Sequence, residues 1–424
     1  MGCVIVGGGA AGLHAALTCR QCWPEESVTL IEAEGEVGYY RTLLPLFMAG
    51  QIKEDKLFFW HPGDDHLFTV RSGIKVGSLD RENQNLHLEN QENLHYERLI
   101  LAPGGYPFMP SVCVDKSCRG IFPVRDLTTA RDIRKWIPRH KKIVVLGGGF
   151  VGLKTAVSLG TAGFTVVLVE KESHLLPQAL TREAARPVEG HLQRMGINVV
   201  LGHVLEDIHA EKRALASVKV GGDWLPCDTL LVAIGSTPNV GFLEGSDLLD
   251  NGELLVSATL QTRDEKIYAA GDAVKISIPG GKRCTPWIWP QAVTQGKLAG
   301  ANLYRSPPFY LKALTRPNSL NLHGLSVVIL GAPVPEAEVI RYASPGDGIH
   351  RELFIHDGRI VGGALVGDIS GAGPLHAAII TEKQQDKGLY DVLRPSGWVL
   401  SRLVGDCYSQ RRQARLLFHQ EVKA

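Results

Sequence analysis

A glycine-rich turn near the N-terminus constrains this chain more than any other feature. The apolar run Cys3 to Val6 predicts a short buried strand, and the pattern G-x-G-x-x-G follows it directly. Gly7 allows the tight turn from strand to helix, Gly9 lets a pyrophosphate approach the backbone, and Gly12 lets helix and strand pack closely. The free N–H groups and the dipole of the following helix would hold the diphosphate.

A carboxylate at the end of the next strand completes the motif. Val28 to Ile31 is predicted to form that strand, and Glu32 lies twenty residues after Gly12. A side chain in this place can accept hydrogen bonds from a ribose diol. Glycine clusters alone also make ordinary turns, but a strand, three glycines, a helix and an acid in register indicate a dinucleotide site.

The same motif occurs a second time, 140 residues later. The strand Lys142 to Leu146 precedes Gly147-Gly-Gly-Phe-Val-Gly152, and Val166 to Val169 leads to a second acid, Glu170. Two such motifs form a long-period internal repeat and imply two bound dinucleotides. We expect the span from about Pro110 to Cys227 to be a self-contained Rossmann unit inserted into the first domain.

The segments around these motifs predict further strands of the first domain. Ser72 to Glu97 alternates apolar and polar residues around turns, which predicts a β-meander. Leu99 to Ala102 is predicted as a buried strand, and Leu230 to Gly235 as a similar strand that returns the chain to the first domain. Lys266 to Asp272 is predicted as a strand ending in Gly-Asp, and a helix is predicted to begin near Pro290.

The character of the sequence changes from Ser319 onwards. The predicted elements are short strands, a turn at Asp357-Gly358 and one helix, at Ser326–Leu330, Ile349–Ile355, Gly358–Gly367 and Pro374–Lys383. We expect a C-terminal α+β domain here, followed by a helical tail to Ala424. Because 424 residues are too many for one core, the fold class is α/β, with two Rossmann-like dinucleotide-binding domains and this third domain.

Composition excludes several classes of partner. The chain is 44% apolar and 21% charged, as in an ordinary globular protein, and its net charge of +1 predicts no steering towards nucleic acid or anionic membranes. No run of about 18 apolar residues is present, so we expect no membrane span. The N-terminus lacks the basic region of a signal peptide, and we expect a cytoplasmic protein.

The cysteines predict no metal site. Cys19 and Cys22 have C-x-x-C spacing, but they fall in the first helix without a second pair, so we interpret them as packed or partly exposed thiols. Cys113 and Cys118 have the Cys-x-x-x-x-Cys spacing of a redox pair, but they lie in the connection between the two Rossmann units, so we keep a redox role only as the alternative. Arg41 is a candidate cation near a pyrophosphate or flavin, with an ordinary surface arginine as the alternative.

Together the motifs resemble those of the two-dinucleotide flavoprotein reductases of the pyridine nucleotide–disulfide oxidoreductase superfamily. The resemblance follows the chain in order to about residue 390, through both fingerprints, Leu101-Ala-Pro-Gly104, Ala233-Ile-Gly235 and Tyr268-Ala-Ala-Gly-Asp272. It implies FAD at the first fingerprint and NAD(H) at the second. The corresponding domains are residues 1–109 and 230–315 for FAD, residues 110–229 for NAD(H), and residues 316–424 for a C-terminal α+β interface domain.

The resemblance also implies the residues of each cofactor site, with no catalytic side chain and no metal ligand among them. For FAD they are Gly7, Gly9, Ala10, Ala11, Gly12, Glu32, Ala33, Arg41, Val76, Ala102, Pro103, Gly104, Gly271, Asp272 and Ala292. For NAD they are Gly147, Gly149, Phe150, Val151, Gly152, Glu170 and Gly235. In the family, the aspartate matching Asp272 holds the ribityl chain, and the helix after Pro290 directs its N-terminus at the flavin, where its dipole stabilises the reduced ring.

The superfamily divides by its second redox centre. Disulfide reductases carry Cys-x-x-x-x-Cys after the first acid, and oxidases or peroxidases carry one cysteine there, but Gly38 to Gly50 contains none. Tyr40-Arg41-x-Leu-Leu, Ala292-x-x-x-Gly296 and Phe354 to Gly367 resemble instead NAD(P)H:rubredoxin reductases and the flavoprotein part of NAD(P)H nitrite reductases. Those relatives often carry a lysine after the Tyr-x-Arg, whereas Leu44 to Phe47 are uncharged here.

The resemblance implies an FAD-dependent NAD(P)H oxidoreductase that takes hydride from NADH and passes electrons directly to a redox protein, a rubredoxin, ferredoxin or metal reductase subunit. Glu170 would favour NADH over NADPH by repelling a 2′-phosphate. The neighbouring Lys171 could weaken this preference for NADH. The alternatives are an NADH oxidase or quinone-type reductase with a small acceptor, and an NADH-responsive flavoprotein like apoptosis-inducing factor. The tail from Arg394 could pack on a second subunit and form a homodimer.

Overall fold

The fold was obtained as a computed structural model. It describes residues 2–61, 68–113, 118–277, 283–284, 288–311, 317–331 and 336–380. The predicted helical tail up to Ala424 lies outside these residues. Two parallel sheets, two antiparallel meanders and a C-terminal antiparallel sheet account for most of the architecture.

The first sheet has five parallel strands with the N-terminal strand at its centre. In spatial order they are Ile267–Ala269, Arg98–Leu101, Gly2–Val6, Ser27–Glu32 and Thr69–Ser72. Cys3 to Val6 are all buried, as expected for a strand covered on both faces of a parallel sheet. The strands expected on either side of the first glycine turn are therefore confirmed.

The second sheet repeats the first. Its five parallel strands, in spatial order, are Asn198–Leu201, Thr165–Glu170, Lys142–Leu146, Thr229–Val232 and Ile121–Pro123. In both sheets the strand before the glycine turn is central and is flanked by the strand that ends in the acid. We call residues built on the first sheet the first module and those on the second sheet the second module.

One sequence prediction about these sheets is wrong. The strand Thr229–Val232 pairs in parallel with Lys142–Leu146, so it belongs to the second sheet and does not return the chain to the first. Its likeness to Arg98–Leu101 has a structural reason, because each of these strands pairs in parallel with the strand that precedes the glycine turn of its own module. The chain leaves the second module after this strand, at Ala233 to Gly235.

Each module carries a three-stranded antiparallel meander just before this strand, which is Arg98–Leu101 in the first module and Thr229–Val232 in the second. The strands are Val76–Asp80, Asn85–Leu88 and Asn93–His95 in the first module, and Leu205–Glu211, Ala214–Val220 and Asp223–Pro226 in the second. The meander expected over Ser72 to Glu97 is thus confirmed. The repeat extends beyond the glycine motifs to a whole strand–helix–strand–meander–strand unit.

Seven α-helices complete the described residues. They are α1 Ala10–Cys22, α2 Leu44–Met48, α3 Leu127–Trp136, α4 Phe150–Thr161, α5 Arg182–Arg194, α6 Trp289–Asn302 and α7 Ala372–Ile380. Single 3₁₀ turns occur at Arg41–Leu43, Glu54–Leu57, Ser111–Cys113, Ile137–Arg139, Gly241–Leu243, Gly271–Ala273 and Pro345–Asp347. Helices α1 and α4 follow the two glycine turns, and α6 has Pro290 in its first turn as predicted.

The chain crosses between the modules in a paired ribbon. Gly105–Pro107 leaves the first module, Ser236–Pro238 leaves the second, and these two segments pair antiparallel. The returning chain then forms a small sheet from Leu249–Asp250, Glu253–Val256, Val274–Ser277 and Arg283–Cys284. The two crossings are therefore held side by side, which limits the ways in which the modules can be arranged.

The C-terminal region is a five-stranded antiparallel sheet covered by α7. In spatial order its strands are Asn318–Leu322, Leu325–Leu330, Arg359–Val366, Ile349–His356 and Glu338–Ser344. The three predicted strands and the turn at Asp357-Gly358 are confirmed, while Asn318–Leu322 and Glu338–Ser344 were missed. The predicted helix Pro374–Lys383 is observed as α7, Ala372–Ile380, and residues 381–383 lie outside the described part.

One apolar core joins the C-terminal sheet to the second module. Leu320, Val327 and Val366 from the sheet belong to the same buried cluster as Val145 of the second sheet and Ala184 of α5. The other face of the C-terminal sheet packs against α7. No helix in the described part of the chain is both long and apolar enough to cross a membrane.

Candidate functional site

The first glycine turn is built so tightly that two of its glycines cannot carry a side chain. A Cβ on Gly7, where φ is +100°, would lie 2.1 Å from the carbonyl oxygen of Ala102. A Cβ on Gly12 would lie 1.8 Å from the carbonyl oxygen of Gly7. Both distances are far below van der Waals contact, so the turn and the start of α1 depend on glycine at these positions.

The middle glycine has a different environment. A Cβ on Gly9 would meet nothing within 4 Å, and Gly9 caps α1 without any side-chain hydrogen bond. Ala10 and Ala11 form the first residues of the helix beyond it. The turn therefore leaves open space against the backbone N–H groups of a helix start, the arrangement that binds a phosphate.

The Glu32 side chain is hydrogen-bonded to this turn. Its side chain is buried and accepts hydrogen bonds from the backbone N–H of Gly8 and, at 2.9 Å, from that of Glu34. Burial raises the pKa of the Glu32 carboxyl, although the hydrogen bonds from Glu34 and Gly8 oppose the rise. The two carboxylate oxygens keep further acceptor capacity, so the ribose role expected of Glu32 is compatible with these bonds.

The second glycine turn has the same construction. A Cβ on Gly147, where φ is +107°, would lie 2.4 Å from the carbonyl oxygen of Ala233, and one on Gly152 would lie 1.8 Å from that of Gly147. Gly149 again faces open space. Phe150 is half-buried and Val151 is exposed at the start of α4, and Gly235, with φ of +113°, follows the last strand.

Glu170 repeats the part played by Glu32. Its buried carboxylate accepts hydrogen bonds from the backbone N–H groups of Gly148 at 2.5 Å and Glu172 at 2.9 Å. Lys171 lies 3.6 Å from the Glu172 carboxylate in an exposed pair. The structure thus contains two equivalent cradles, each with an open middle glycine and an acid at the end of the neighbouring strand.

Helix α6 and the Gly271-Asp272 turn converge on the first cradle. The backbone N–H of Gly271 donates to Oε1 of Gln295 at 2.7 Å, and a Cβ on Gly271 would lie 3.0 Å from that of Ala11. A Cβ on Gly296 would lie 2.0 Å from the carbonyl oxygen of Ala11. Ala292, in the first turns of α6, is buried beside this contact.

Two buried donors near this convergence lack partners. Nε2 of Gln295 and Nε1 of Trp289 form no hydrogen bond with any residue that the structure describes. Buried N–H groups are normally satisfied, and an orphaned pair beside an open cradle fits a bound ligand that offers acceptor atoms. The isoalloxazine and ribityl oxygens of FAD are acceptors of this kind, so these residues fit the cofactor.

Arg41 and Arg125 link the first cradle to the second module. Nη2 of Arg41 donates to Oε1 of Glu34 at 2.6 Å, and its Nη1 donates to the carbonyl oxygen of Arg125 at 3.1 Å. Nη2 of Arg125 lies 3.7 Å from Oδ2 of Asp272 and 3.4 Å from the Cβ position of Gly104. Arg41 is therefore part of a half-buried network rather than an isolated surface arginine.

Arg125 was not predicted from the sequence. It follows the edge strand Ile121–Pro123 of the second sheet and belongs to no glycine or acid motif, so no local pattern identifies it. Burial, followed by repulsion from Arg41, lowers the pKa of Arg125, and attraction to Asp272 offsets part of this effect. Its position between Gly104 and Asp272 adds it to the residues that could hold FAD.

The remaining predicted residues lie around this centre. Ala102 and Pro103 contact the Gly7 turn, since a Cβ on Gly7 would also lie 3.2 Å from the Cα of Pro103. Ala33 is exposed directly after Glu32. Val76 is buried at the start of the first meander, in the core of the first module, and its expected backbone contact with FAD remains a prediction.

Aromatic rings border the site at the start of α6. Ring centroids are 4.7 Å apart for Tyr40 and Phe59 and 5.4 Å apart for Tyr40 and Trp289, and His14 stacks on Phe59 at 5.7 Å. All four rings are half-buried. The edge of the first site next to Arg41 is therefore a partly exposed aromatic surface.

The thiols of the interdomain connection lie away from this site. Cys113 packs in a buried cluster with Val144 of the second sheet and with Cys118 and Cys227, and burial raises the pKa of the Cys113 thiol to about 11. The neighbouring residue Val145 belongs to the cluster on the opposite face, with α4 and α2. The second sheet thus separates these thiols from the α4 face. Among the described residues no cluster of His, Cys, Asp and Glu could hold a metal ion.

Comparison with known families accounts for both halves of this architecture. Residues 1–296 match the family model described as pyridine nucleotide-disulphide oxidoreductase. Residues 317–383 match the model described as the rubredoxin NAD⁺ reductase C-terminal domain. The first match covers both glycine cradles and most of α6, and the second covers the C-terminal sheet.

Individual relatives agree with this assignment. The chain is 29% identical over 395 residues to an NADH oxidase of Methanocaldococcus jannaschii, covering 87% of this chain and 88% of that protein. It is 24% identical over 380 residues to a probable ferredoxin reductase of Castellaniella defragrans, covering 84% and 88%. The names of these two relatives differ in the electron acceptor.

A solved structure has the same fold over almost its whole length. In the covalent complex of putidaredoxin reductase with putidaredoxin, one chain superposes with a TM-score of 0.88 at 20% identity, covering 96% of this chain and 99% of that one. From its two cradles, its C-terminal sheet and these matches, the chain belongs to the pyridine nucleotide-disulphide oxidoreductase family and is an FAD-dependent NAD(P)H oxidoreductase.

Proposed function

We propose that this enzyme passes electrons from NADH through FAD to a small redox protein, a rubredoxin, a ferredoxin or a metal-containing reductase subunit, without a redox disulfide. The observation that carries the proposal is the absence of a thiol from the segment that borders the first cradle. Gly38 to Gly50 contains no cysteine, and Cys113 packs on the face of the second sheet opposite to α4. Neither this segment nor Cys113 therefore offers a thiol relay next to the proposed flavin site.

The geometry of the first cradle supports the proposed contacts with FAD. Gly7, Gly9 and Gly12 would receive the pyrophosphate, and Glu32 would accept hydrogen bonds from the adenosine ribose. Asp272 would accept from a ribityl hydroxyl, with Arg125 held beside it. When bound, FAD accepts two electrons from a nicotinamide and can release them one at a time.

The second cradle supplies the matching site for NADH. Gly147, Gly149 and Gly152 repeat the proposed pyrophosphate turn, and the buried carboxylate of Glu170 would accept a hydrogen bond from a ribose 2′-hydroxyl. The partly exposed aromatic edge at Tyr40, next to Arg41, offers an approach for a one-electron acceptor. No thiol or metal of this chain is needed for either transfer.

The division into domains follows the modules, with one change from the sequence expectation. We place the FAD domain in residues 1–109 and about 233–315, and the NAD(H) domain in residues 110 to about 232, because Thr229–Val232 pairs within the second sheet. Residues 316–424 form the proposed interface domain. A homodimer through the C-terminal tail and a cytoplasmic location remain predictions.

A second candidate function is NADH oxidation with oxygen as acceptor. It is favoured by the 29% identity to the Methanocaldococcus jannaschii protein of that name. Because no cysteine lies in Gly38 to Gly50, such an enzyme would have to react with oxygen without a thiol from that segment. Oxygen consumption measured with NADH alone distinguishes the two functions.

The proposal is tested by anaerobic stopped-flow spectroscopy. The enzyme is reduced with NADH and then mixed with rubredoxin, ferredoxin, a quinone or oxygenated buffer, and reoxidation is followed at the flavin absorbance. We expect reoxidation by at least one iron–sulfur or rubredoxin-type protein to be faster than by oxygen or quinone. Reoxidation that is fastest with oxygen would assign the enzyme to the oxidases.

A thiol variant tests the route of the electrons. Changing both Cys113 and Cys118 to Ser should leave NADH oxidation by an artificial one-electron acceptor unchanged, because these thiols pack on the face of the second sheet opposite to α4. Alkylation of the NADH-reduced wild type should have equally little effect. A loss of activity of about tenfold, equivalent to about 1.4 kcal/mol of barrier, would mean that the two thiols carry electrons.

A further inference from the structure

One ammonium group bridges the two modules close to the second glycine turn. Lys154 lies in α4, two residues after Gly152, and its Nζ lies 3.4 Å from the carbonyl oxygen of Thr42. Thr42 directly follows Arg41 in the segment that borders the first cradle. A residue of the NAD(H) module thus reaches the FAD module with a charged group.

The direction of α4 explains this contact. Further along the helix, Nε2 of Gln51 donates to the carbonyl oxygen of Ser158 at 2.9 Å and to Oγ1 of Thr161 at 2.5 Å. The segment from Thr42 to Gln51 therefore runs along one side of α4. Lys154 makes the contact nearest to the glycine turn, on the same helical face as Phe150, which is one turn earlier.

The ammonium group has no anionic partner among the residues that the structure describes. No carboxylate of the described residues forms an ion pair with Lys154, and burial lowers the pKa of its ammonium group without any compensating charge. The stretch Leu44 to Phe47 beside it is also uncharged. A half-buried cation without a carboxylate is costly, and such groups concentrate at functional sites.

We propose that Lys154 is a positioning residue for electron transfer from nicotinamide to flavin, placing a positive charge at the junction of the two dinucleotides. Its ammonium group, held by the Thr42 carbonyl, stabilises the negative charge that the flavin gains on reduction. The inference rests on the proposed function only in that FAD and NADH occupy the two cradles. The identity of the final acceptor does not affect it.

Three variants separate charge from packing. Lys154→Met keeps the length of the side chain without charge, Lys154→Arg keeps the charge, and Lys135→Met removes an exposed lysine from α3 as the matched control. The midpoint potential of the bound flavin is measured by anaerobic titration against a reference dye. The limiting rate of flavin reduction and the Kd for NADH are measured by stopped flow, with no acceptor protein present.

We expect Lys154→Met to shift the equilibrium towards oxidised flavin by about tenfold, which is about 30 mV for a two-electron couple. The reduction rate should fall about tenfold, by about 1.4 kcal/mol of barrier, with little change in the Kd for NADH. Lys154→Arg should recover most of the wild-type flavin potential and reduction rate. Lys135→Met should match the wild type in both. Thermal unfolding should show Lys154→Met to be at least as stable as the wild type, since an unpaired charge has been removed.

An unchanged potential and reduction rate in Lys154→Met would overturn the inference, as would loss of stability without a change in potential. Because no acceptor protein is present, a failure here is distinct from a failure of the proposed function. If the wild type is reduced by NADH but donates to no redox protein, the proposed acceptor is wrong while the test of Lys154 stands.

Discussion

The glycines of the two turns have two different roles. Some are required by close backbone packing, and others leave open space for a ligand. Gly12 and Gly152 would each bring a Cβ to 1.8 Å from a backbone oxygen of their own turn, so they are required for folding. Gly9 and Gly149 face open space and have ordinary backbone angles, with φ of −72° and −74°. A side chain at these two positions would be tolerated by the fold and would obstruct only what binds there.

The open glycines therefore allow each cofactor to be removed separately. Gly9→Leu should fold but purify without FAD, because the side chain fills the proposed pyrophosphate space. Gly149→Leu should keep stoichiometric FAD and lose saturable NADH binding. Flavin absorbance per chain and NADH titration measure these results, with each variant serving as the control for the other. Stoichiometric FAD in Gly9→Leu would disprove the assignment of the first site.

The acid of the second cradle should set the choice of nicotinamide cofactor. The Glu170 carboxylate would accept a hydrogen bond from the 2′-hydroxyl of NADH and repel the 2′-phosphate of NADPH. We expect kcat/KM for NADH to exceed that for NADPH by at least about tenfold, or about 1.4 kcal/mol. Glu170→Ala should narrow this ratio, and Glu172→Ala, which alters the adjacent exposed carboxylate, should not. A wild-type preference for NADPH would contradict the assignment.

Among the elements, α1 and α6 are packed at unusually close range. A Cβ on Gly296 would lie 2.0 Å from the carbonyl oxygen of Ala11, and one on Gly300 would lie 2.5 Å from that of Ala15. Glycines one helical turn apart on α6 thus let the two backbones touch. This contact brings Gln295 to Gly271, so the same packing assembles part of the proposed FAD site.

Adding one methyl group at this contact should lower the stability of the protein. Gly296→Ala forces the helices apart, and overpacking of this kind costs about 1–3 kcal/mol. Flavin retention should fall together with stability, because Gln295 moves with α6. The matched control is Gly190→Ala in the interior of α5, where the nearest atom is the flexible Arg194 guanidinium at 3.5 Å and helix propensity predicts a gain of up to about 1 kcal/mol. Denaturant unfolding compares the two, and equal stabilities would refute the close packing.

Across the whole molecule, a buried polar group joins the second module to the C-terminal sheet. The fully buried Glu352 accepts from Oγ1 of Thr181, the N-cap of α5, at 2.8 Å, from Nε of Arg341 at 2.9 Å and lies 3.0 Å from Nε2 of His350. Burial by itself would raise the pKa of Glu352, but these hydrogen bonds outweigh it and hold the pKa below its usual value. The C-terminal sheet is therefore docked by a charge as well as by its apolar face.

Removing that charge should loosen the docked sheet. Glu352→Gln leaves the exposed Arg341 cation facing a neutral amide, and losing hydrogen bonds to a buried charged group in this way costs about 1.5–3 kcal/mol. Because the folded pKa is depressed, the stabilisation is present above the ordinary glutamate pKa of about 4.3 and is lost as the pH falls through the folded value. Thermal unfolding should thus show a large difference from wild type at pH 7 that narrows in acid. Glu338→Gln, at an exposed position on the adjacent strand, should differ little at either pH.

What the sequence determined by itself was local or periodic. Both glycine turns, their acids, the central strands and the helix at Pro290 follow from short-range sterics and from β-branched runs, and the duplicated motif predicted two modules. Which sheet Thr229–Val232 joins was decided only by tertiary structure, because a buried strand can pair at either edge available to it and its pattern is the same in both. Arg125 beside Asp272, Lys154 against Thr42 and Glu352 beneath Thr181 depend on contacts between residues far apart in the chain. No local pattern encodes such contacts, since their geometry exists only once the modules have packed together.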